Sequence, residues 1–193
     1  MIGDLRCAAA LAAALSFFTA CAASGADPQL CAACHGPEGN SVIPANPSLA
    51  AQPGQFISIQ LFQFREGNRK DPQMTPMAAN LSNAEMNELA AYFSKQKAAA
   101  PSHKTTPENA AAGRRLAEQF NCVQCHGPAL LGQQHIPRLA GQQFEYLRTQ
   151  LRGFKAQTRS DLDGNMTSAA QPLTDKDVEI LADYLSGLTL PRD

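Results

Sequence analysis

The chain has 193 residues, 44% of them hydrophobic and 17% charged, with no Trp. That length holds one ordinary domain or two small ones, and a domain below about 70–80 residues needs a staple such as a disulfide, a metal or a cofactor. The formal net charge of -1 excludes the strongly basic balance typical of nucleic-acid binders. Residues 27–100 carry five Lys/Arg and six Asp/Glu and residues 101–193 carry ten of each, so neither half is polarised.

The chain opens on MIGDLRCAAALAAALSFFTACAASGA, with Arg6 at the tip, an apolar run from Cys7 to Ala20, then small residues. This pattern predicts a secretory signal over residues 1–26. The run of 14 residues falls short of the ~20 a spanning helix needs. Asp4 offsets Arg6, and an uncleaved amphipathic anchor, giving peripheral membrane association, is the alternative. A lipid on Cys21 is a further minor alternative, disfavoured by Phe18. Export implies the periplasm.

Cys31, Cys34 and His35 follow at once in CAACH, and Cys122, Cys125 and His126 repeat the arrangement in CVQCH. The repetition extends well beyond the cysteines. A shift of 90 residues lays PSLAAQPGQFISIQLFQFREG, from Pro47, on PRLAGQQFEYLRTQLRGFKAQ, from Pro137. A shift of 92 lays MTPMAANLSNAEMNELAAYFS, from Met74, on MTSAAQPLTDKDVEILADYLS, from Met166. Two related domains are therefore expected, over 27–100 and 101–193, joined by the Pro/Ser/Thr/Lys segment 98–109.

Elements common to both copies follow from periodicity. Ile57, Leu61 and Phe64 match Leu147, Leu151 and Phe154 at helical spacing. Ser82 with Glu85, and Thr174 with Asp177, read as capping boxes opening final helices with apolar faces Met86, Leu89, Ala90, Phe93 and Val178, Leu181, Ala182, Leu185. A further helix over 107–119 precedes the second cysteine pair, and the first copy has no room for its equal after the signal. The fold class is all-α.

C-x-x-C-H is the signature of covalent haem attachment. Each thiol can add across a haem vinyl group, and the adjoining histidine reaches the iron. The competing uses of two such pairs are a four-cysteine zinc site or redox dithiols. Zinc does not require a histidine after each pair, and a dithiol couple belongs in an α/β setting. Two haem c groups are expected, on Cys31 and Cys34 and on Cys122 and Cys125, with His35 and His126 as iron ligands. Met74 and Met166 share one register and are the expected second ligands; Met77 and Met86 read as core filling. The carbonyls of Pro47 and Pro137 are placed to accept the histidine ring N–H and fix its tautomer. His103 and His135 are assigned to solvent.

CAACH and CVQCH, PSLAAQ and PRLAGQ, MTPMAANLS and MTSAAQPLT, and the final helices LAAYFS and LADYLS together resemble the cytochrome c4 family, exported di-haem proteins made of two class I cytochrome c domains. The likeness covers essentially the whole chain after the signal. It implies His35/Met74 and His126/Met166 coordination, Pro47 and Pro137 as histidine partners, and haem propionate edges near the domain interface. The short first helix departs from the family pattern.

An iron held by His and Met has no vacant position for substrate, so the expected activity is one-electron transfer between redox protein donors and acceptors, with no catalysis. The resemblance implies a membrane terminal oxidase among the acceptors, and a monomer is expected. A cytochrome subunit of a dehydrogenase is the near alternative and a di-haem peroxidase the distant one.

Overall fold

The computed structural model describes residues 26–191. Cys7, Cys21 and the predicted signal lie outside the described residues, apart from Ala26. Nine α-helices are present among the described residues and no β-strand. No described helix is long and apolar enough to cross a membrane.

In the first half α1 spans Pro28–His35, α2 Gly54–Arg65, α3 Met74–Ala78 and α4 Asn83–Ser94. In the second half α5 spans Pro107–Gln119, α6 Cys122–His126, α7 Phe144–Lys155, α8 Asn165–Ala170 and α9 Asp175–Gly187. Both capping boxes are formed: Ser82 accepts from the Glu85 amide while Glu85 accepts from that of Ser82, and Thr174 and Asp177 do the same. Each box satisfies amide groups that a helix start leaves unpaired.

The apolar faces close on two separate cores. Ile57 and Leu61 of α2 meet Met86, Leu89, Ala90 and Phe93 of α4. Leu147 and Phe154 of α7 meet Val178, Leu181, Ala182 and Leu185 of α9, with Leu130, Ala140, Ala170 and Leu173 filling from the loops and α8. At about 1.5–3 kcal/mol for each large apolar side chain buried, these faces are what hold α2 to α4 and α7 to α9.

The halves differ at the outer side of the last helix. There α5 crosses α9 so closely that a Cβ on Gly113 would lie 2.1 Å from the Tyr184 Cβ. Nothing among the described residues matches α5 in the first half, where Asp27 caps α1 directly ahead of Cys31. The sequence is adjusted to this: Glu88 stands where α9 has Ile180, and Asn87, Glu88 and Ala91 are exposed.

The connection between halves is irregular over 98–106, and Thr106 caps α5, so residues 107–109 belong to the helix and not to the linker. His103 in this connection is not a solvent residue, which corrects the sequence expectation. Its ring stacks on Phe144 with centroids 5.1 Å apart, and its Nε2 lies 2.6 Å from Asp183 Oδ1 on α9. Thr105 donates to the other oxygen of the same carboxylate. His135, with Asp163 at 3.9 Å, is exposed as expected.

Candidate functional site

In each half the cysteines and the histidine share one short helix. Cys31, Cys34 and His35 lie on α1, and Cys122, Cys125 and His126 on α6, at spacings that bring the three side chains to one side of the helix. Cys34 and Cys125 are exposed and Cys31 and Cys122 half-buried, and all four are free thiols. Burial is the main cause raising the Cys31 and Cys122 thiols above their ordinary pKa. The chain leaves each helix through a glycine, Gly36 at φ 78° and ψ 165° and Gly127 at φ 81° and ψ 162°, a region open essentially to glycine alone.

That exit sends the following loop back beneath the histidine. His35 is 6% and His126 3% exposed. Their Nδ1 atoms lie 2.8 Å from the carbonyl oxygens of Pro47 and Pro137. A carbonyl only accepts, so Nδ1 carries the proton and Nε2 of the neutral ring keeps its lone pair. Burial is the largest influence on both rings and lowers their pKa, against the proline hydrogen bonds, which favours the neutral form. Each histidine is thus held in one tautomer with one basic nitrogen to offer.

Met74 borders the first core together with Cys31, and Met166 borders the second with Cys122. Both methionines are held from the backbone by an upstream aspartate: Met74 N donates to Asp71 Oδ1 at 2.8 Å, and Met166 N to Asp161 Oδ2 at 2.8 Å. Thr167 adds its amide and hydroxyl to Asp161. Burial opposes ionisation of Asp161, but the bonds from Thr167 and Met166 outweigh it and hold the carboxyl below its ordinary pKa. Met86 is buried in the core as expected, whereas Met77 is 55% exposed and fills nothing. Met77 lies on α3, whose buried residue is Ala78; the five-residue helix covers too little of its own surface to bury both.

Other residues of the site were missed by the sequence reading. Between the halves, Gln52 accepts from the Arg138 amide at 2.9 Å and donates to the Arg138 carbonyl at 3.0 Å. Gln142 does the same to Ser48, at 2.7 and 2.9 Å. Gln52 matches Gln142, and Ser48 matches Arg138, under the shift of 90, so the halves clasp each other reciprocally about a pseudo-two-fold axis. Arg69 and its match Arg159 lie farther along the same seam, each over a phenylalanine of its own half and both bonded to Gln60 and Gln150. Both glutamine pairs recur in the aligned segments, which was the available signal; that they face one another was not.

Haem fits these residues. Each half offers two free thiols, a neutral imidazole with one unprotonated nitrogen, a thioether and an apolar wall. The seam holds the buried Arg138, which donates to the carbonyls of Ala140 and Ala50 and pairs with no carboxylate among the described residues. No described cluster of His, Cys, Asp and Glu gathers for a metal ion alone.

Comparison with known proteins agrees. The Cytochrome c family model matches twice, over residues 26–97 and 110–189. Cytochrome c4 of Thiocapsa roseopersicina is 37% identical over 171 residues, covering 83% of this chain and 88% of that protein. A thiosulfate dehydrogenase electron acceptor of Thiomonas intermedia is 36% identical, covering 83% and 79%. The crystal structure of reduced recombinant cytochrome c4 from Pseudomonas stutzeri superposes with a TM-score of 0.77 at 33% identity, covering 83% of this chain and 94% of that one. The chain belongs to the cytochrome c4 family: it is a c-type cytochrome with two covalently attached haem groups, an electron carrier and not an enzyme.

Proposed function

We propose that the irons are held between His35 and Met74 in the first domain (27–100) and between His126 and Met166 in the second (101–193), with thioether links to Cys31 and Cys34 and to Cys122 and Cys125. Haem so bound supplies a one-electron couple with no vacant position. The protein's part is to keep that coordination unchanged. Pro47 and Pro137 hold the histidines in one tautomer, and Asp71 and Asp161 hold the methionine backbones. Ligands fixed in this way keep rearrangement small when an electron arrives or leaves.

The observation that carries the reading is the matched pair of 2.8 Å histidine–proline bonds, each in a half whose methionine borders the same core as its first cysteine. The test is the weak long-wavelength ferric absorption of thioether-ligated iron. Met74→Ala and Met166→Ala each remove about half of it and open one iron to small ligands, while Met77→Ala leaves it whole. Loss of the band in Met77→Ala but not in Met74→Ala would overturn the assignment.

The setting follows from export: residues 1–26 act as the signal and the protein works in the periplasm, a mature N-terminus near Asp27 being the checkable consequence. Its partners are redox proteins that dock briefly at haem edges, with a membrane terminal oxidase as an acceptor. A dehydrogenase is a donor of equal standing, supported by the relative known as a thiosulfate dehydrogenase electron acceptor. Reduction of the purified chain by one partner and oxidation by the other, each with salt-dependent rates, tests this pairing.

A further inference from the structure

The seam is less symmetrical than its glutamine clasp. Gln52 and Gln142 reach across in matching ways, but the residue after each differs, Pro53 in the first half and Gln143 in the second. Both stand at the start of the next helix with nearly the same backbone, φ -54° and ψ 129° at Pro53 and φ -60° and ψ 130° at Gln143. Of the two, only Gln143 has a side chain that donates, and its Nε2 gives a bond to the Ser41 carbonyl of the first half at 2.5 Å. Within the same turn the Tyr146 amide, which a helix start leaves unpaired, donates to the Pro44 carbonyl of the first half at 3.2 Å. The matching Phe56 amide makes no such bond to the second half among the described residues.

These extra bonds fall on one loop. Residues 41–48 contain Pro47, whose carbonyl holds the His35 ring. The loop is closed by the Ser41 amide, which donates to the Ser48 hydroxyl at 3.2 Å. Among the described residues its only internal backbone bond runs from the Asn46 amide to the Ile43 carbonyl, at 3.0 Å. The corresponding loop of the second half supports itself: Gln133 and Ile136 exchange backbone bonds at 3.0 and 2.8 Å, and the Gly132 amide donates to the His126 carbonyl at 2.9 Å. The first loop has no such pair and leans on the start of α7 instead.

We propose that Gln143 is a positioning residue for the first haem, reaching across the seam to hold the loop that fixes His35, and that its match Pro53 gives the second haem no such support. The path is short: Gln143 to the Ser41 carbonyl, the Ser41 amide to the Ser48 hydroxyl, and Pro47 beside Ser48 to the His35 ring. A carbonyl held 2.8 Å from Nδ1 makes the imidazole a more basic ligand, and a more basic ligand favours ferric iron. Loosening the loop weakens that bond and favours the ferrous state of the first haem alone. Gln143 bonds to no iron ligand and acts only through the loop. The inference rests on the histidine–methionine ligation proposed above.

The experiment is a redox titration followed on the long-wavelength ferric band in two holoproteins: Met166→Ala, where the band belongs to the first haem, and Met74→Ala, where it belongs to the second. Adding Gln143→Leu removes the donor without changing the charge. It raises the reduced-to-oxidised ratio of the first haem about threefold at fixed ambient potential, or about 28 mV for a one-electron couple, and leaves the second haem where it was. Where the leucine variant does not fold, Gln143→Asn, one methylene shorter, decides the matter and moves the same haem in the same direction. An unchanged first haem, a fall in its ratio, or a shift of the second haem as large as that of the first would overturn the proposal. Absence of the band from Met166→Ala before Gln143 is changed would instead bring down the ligand assignment, and the proposal with it.

Discussion

Substitution of the glycine after each histidine separates two costs that the sequence makes look the same. Gly36→Ala and Gly127→Ala both place a Cβ at φ near 80°, with φ of 78° and 81°. Backbone strain of this kind costs about 1–3 kcal/mol at either position. At Gly127 the new methyl meets nothing within 4 Å. At Gly36 it would lie 1.9 Å from the Asn40 carbonyl oxygen and 2.6 Å from its carbon. Contact at ordinary distance requires the backbone at Asn40 to retreat by more than an ångström, and Asn40 is tied there by its amide, which donates to the Pro37 carbonyl at 2.9 Å, and by its side chain on the Ala99 amide and the Lys97 carbonyl. Overpacking against anchored backbone adds about 1–3 kcal/mol, so Gly36→Ala costs about 2–6 kcal/mol and Gly127→Ala about 1–3. Calorimetry of the two holoproteins resolves this, with the long-wavelength band reporting which haem site is disturbed. Equal destabilisation by the two substitutions would refute the reasoning.

Gly113→Ala drives a methyl into Tyr184 and destabilises the second domain by about 1–3 kcal/mol despite alanine's better helix propensity, whereas Ala111→Gly on the exposed side of α5 costs about 1 kcal/mol; denaturant midpoints compare them. Asp161→Asn weakens the hold on Met166 and lowers stability at neutral pH by about 1–2 kcal/mol. The sign with pH follows from its depressed folded pKa: the stabilisation is complete above the unfolded value of about 3.9 and is lost as pH falls through the folded one. Acid titration therefore removes part of the thioether band in the parent, and Asp161→Asn flattens that dependence. His103→Ala, which unstacks the linker from Phe144 and unbinds it from Asp183, costs about 1 kcal/mol and exposes residues 98–106 to proteolysis, measured by the rate of cleavage between the halves.

The parts of this fold that follow from local chemistry were legible. Ser82 and Thr174 with their acidic partners announce helix starts, and the apolar spacing at Ile57, Leu61 and Phe64 was resolved by its second copy. Repetition also set the two-domain organisation and the register of Met74 with Met166. What could not be read depends on which surfaces meet. Gln52 and Gln142 look like ordinary loop residues until the seam brings each to the other half's backbone. His103 lies in a polar, Pro-containing stretch whose composition says linker, and only the approach of Phe144 and Asp183 gives it partners. Met77 differs from Met74 by one helical turn, so composition cannot tell an exposed methionine from one that borders the core.

The most direct test of the two-centre account is a reductive titration of the purified exported chain, with iron, zinc and haem counted on the same sample. Two haems and two irons per chain, no zinc, and two electrons taken up in one-electron steps without peroxide turnover are expected. A chain holding zinc on its cysteines, or taking up a single electron, would contradict it.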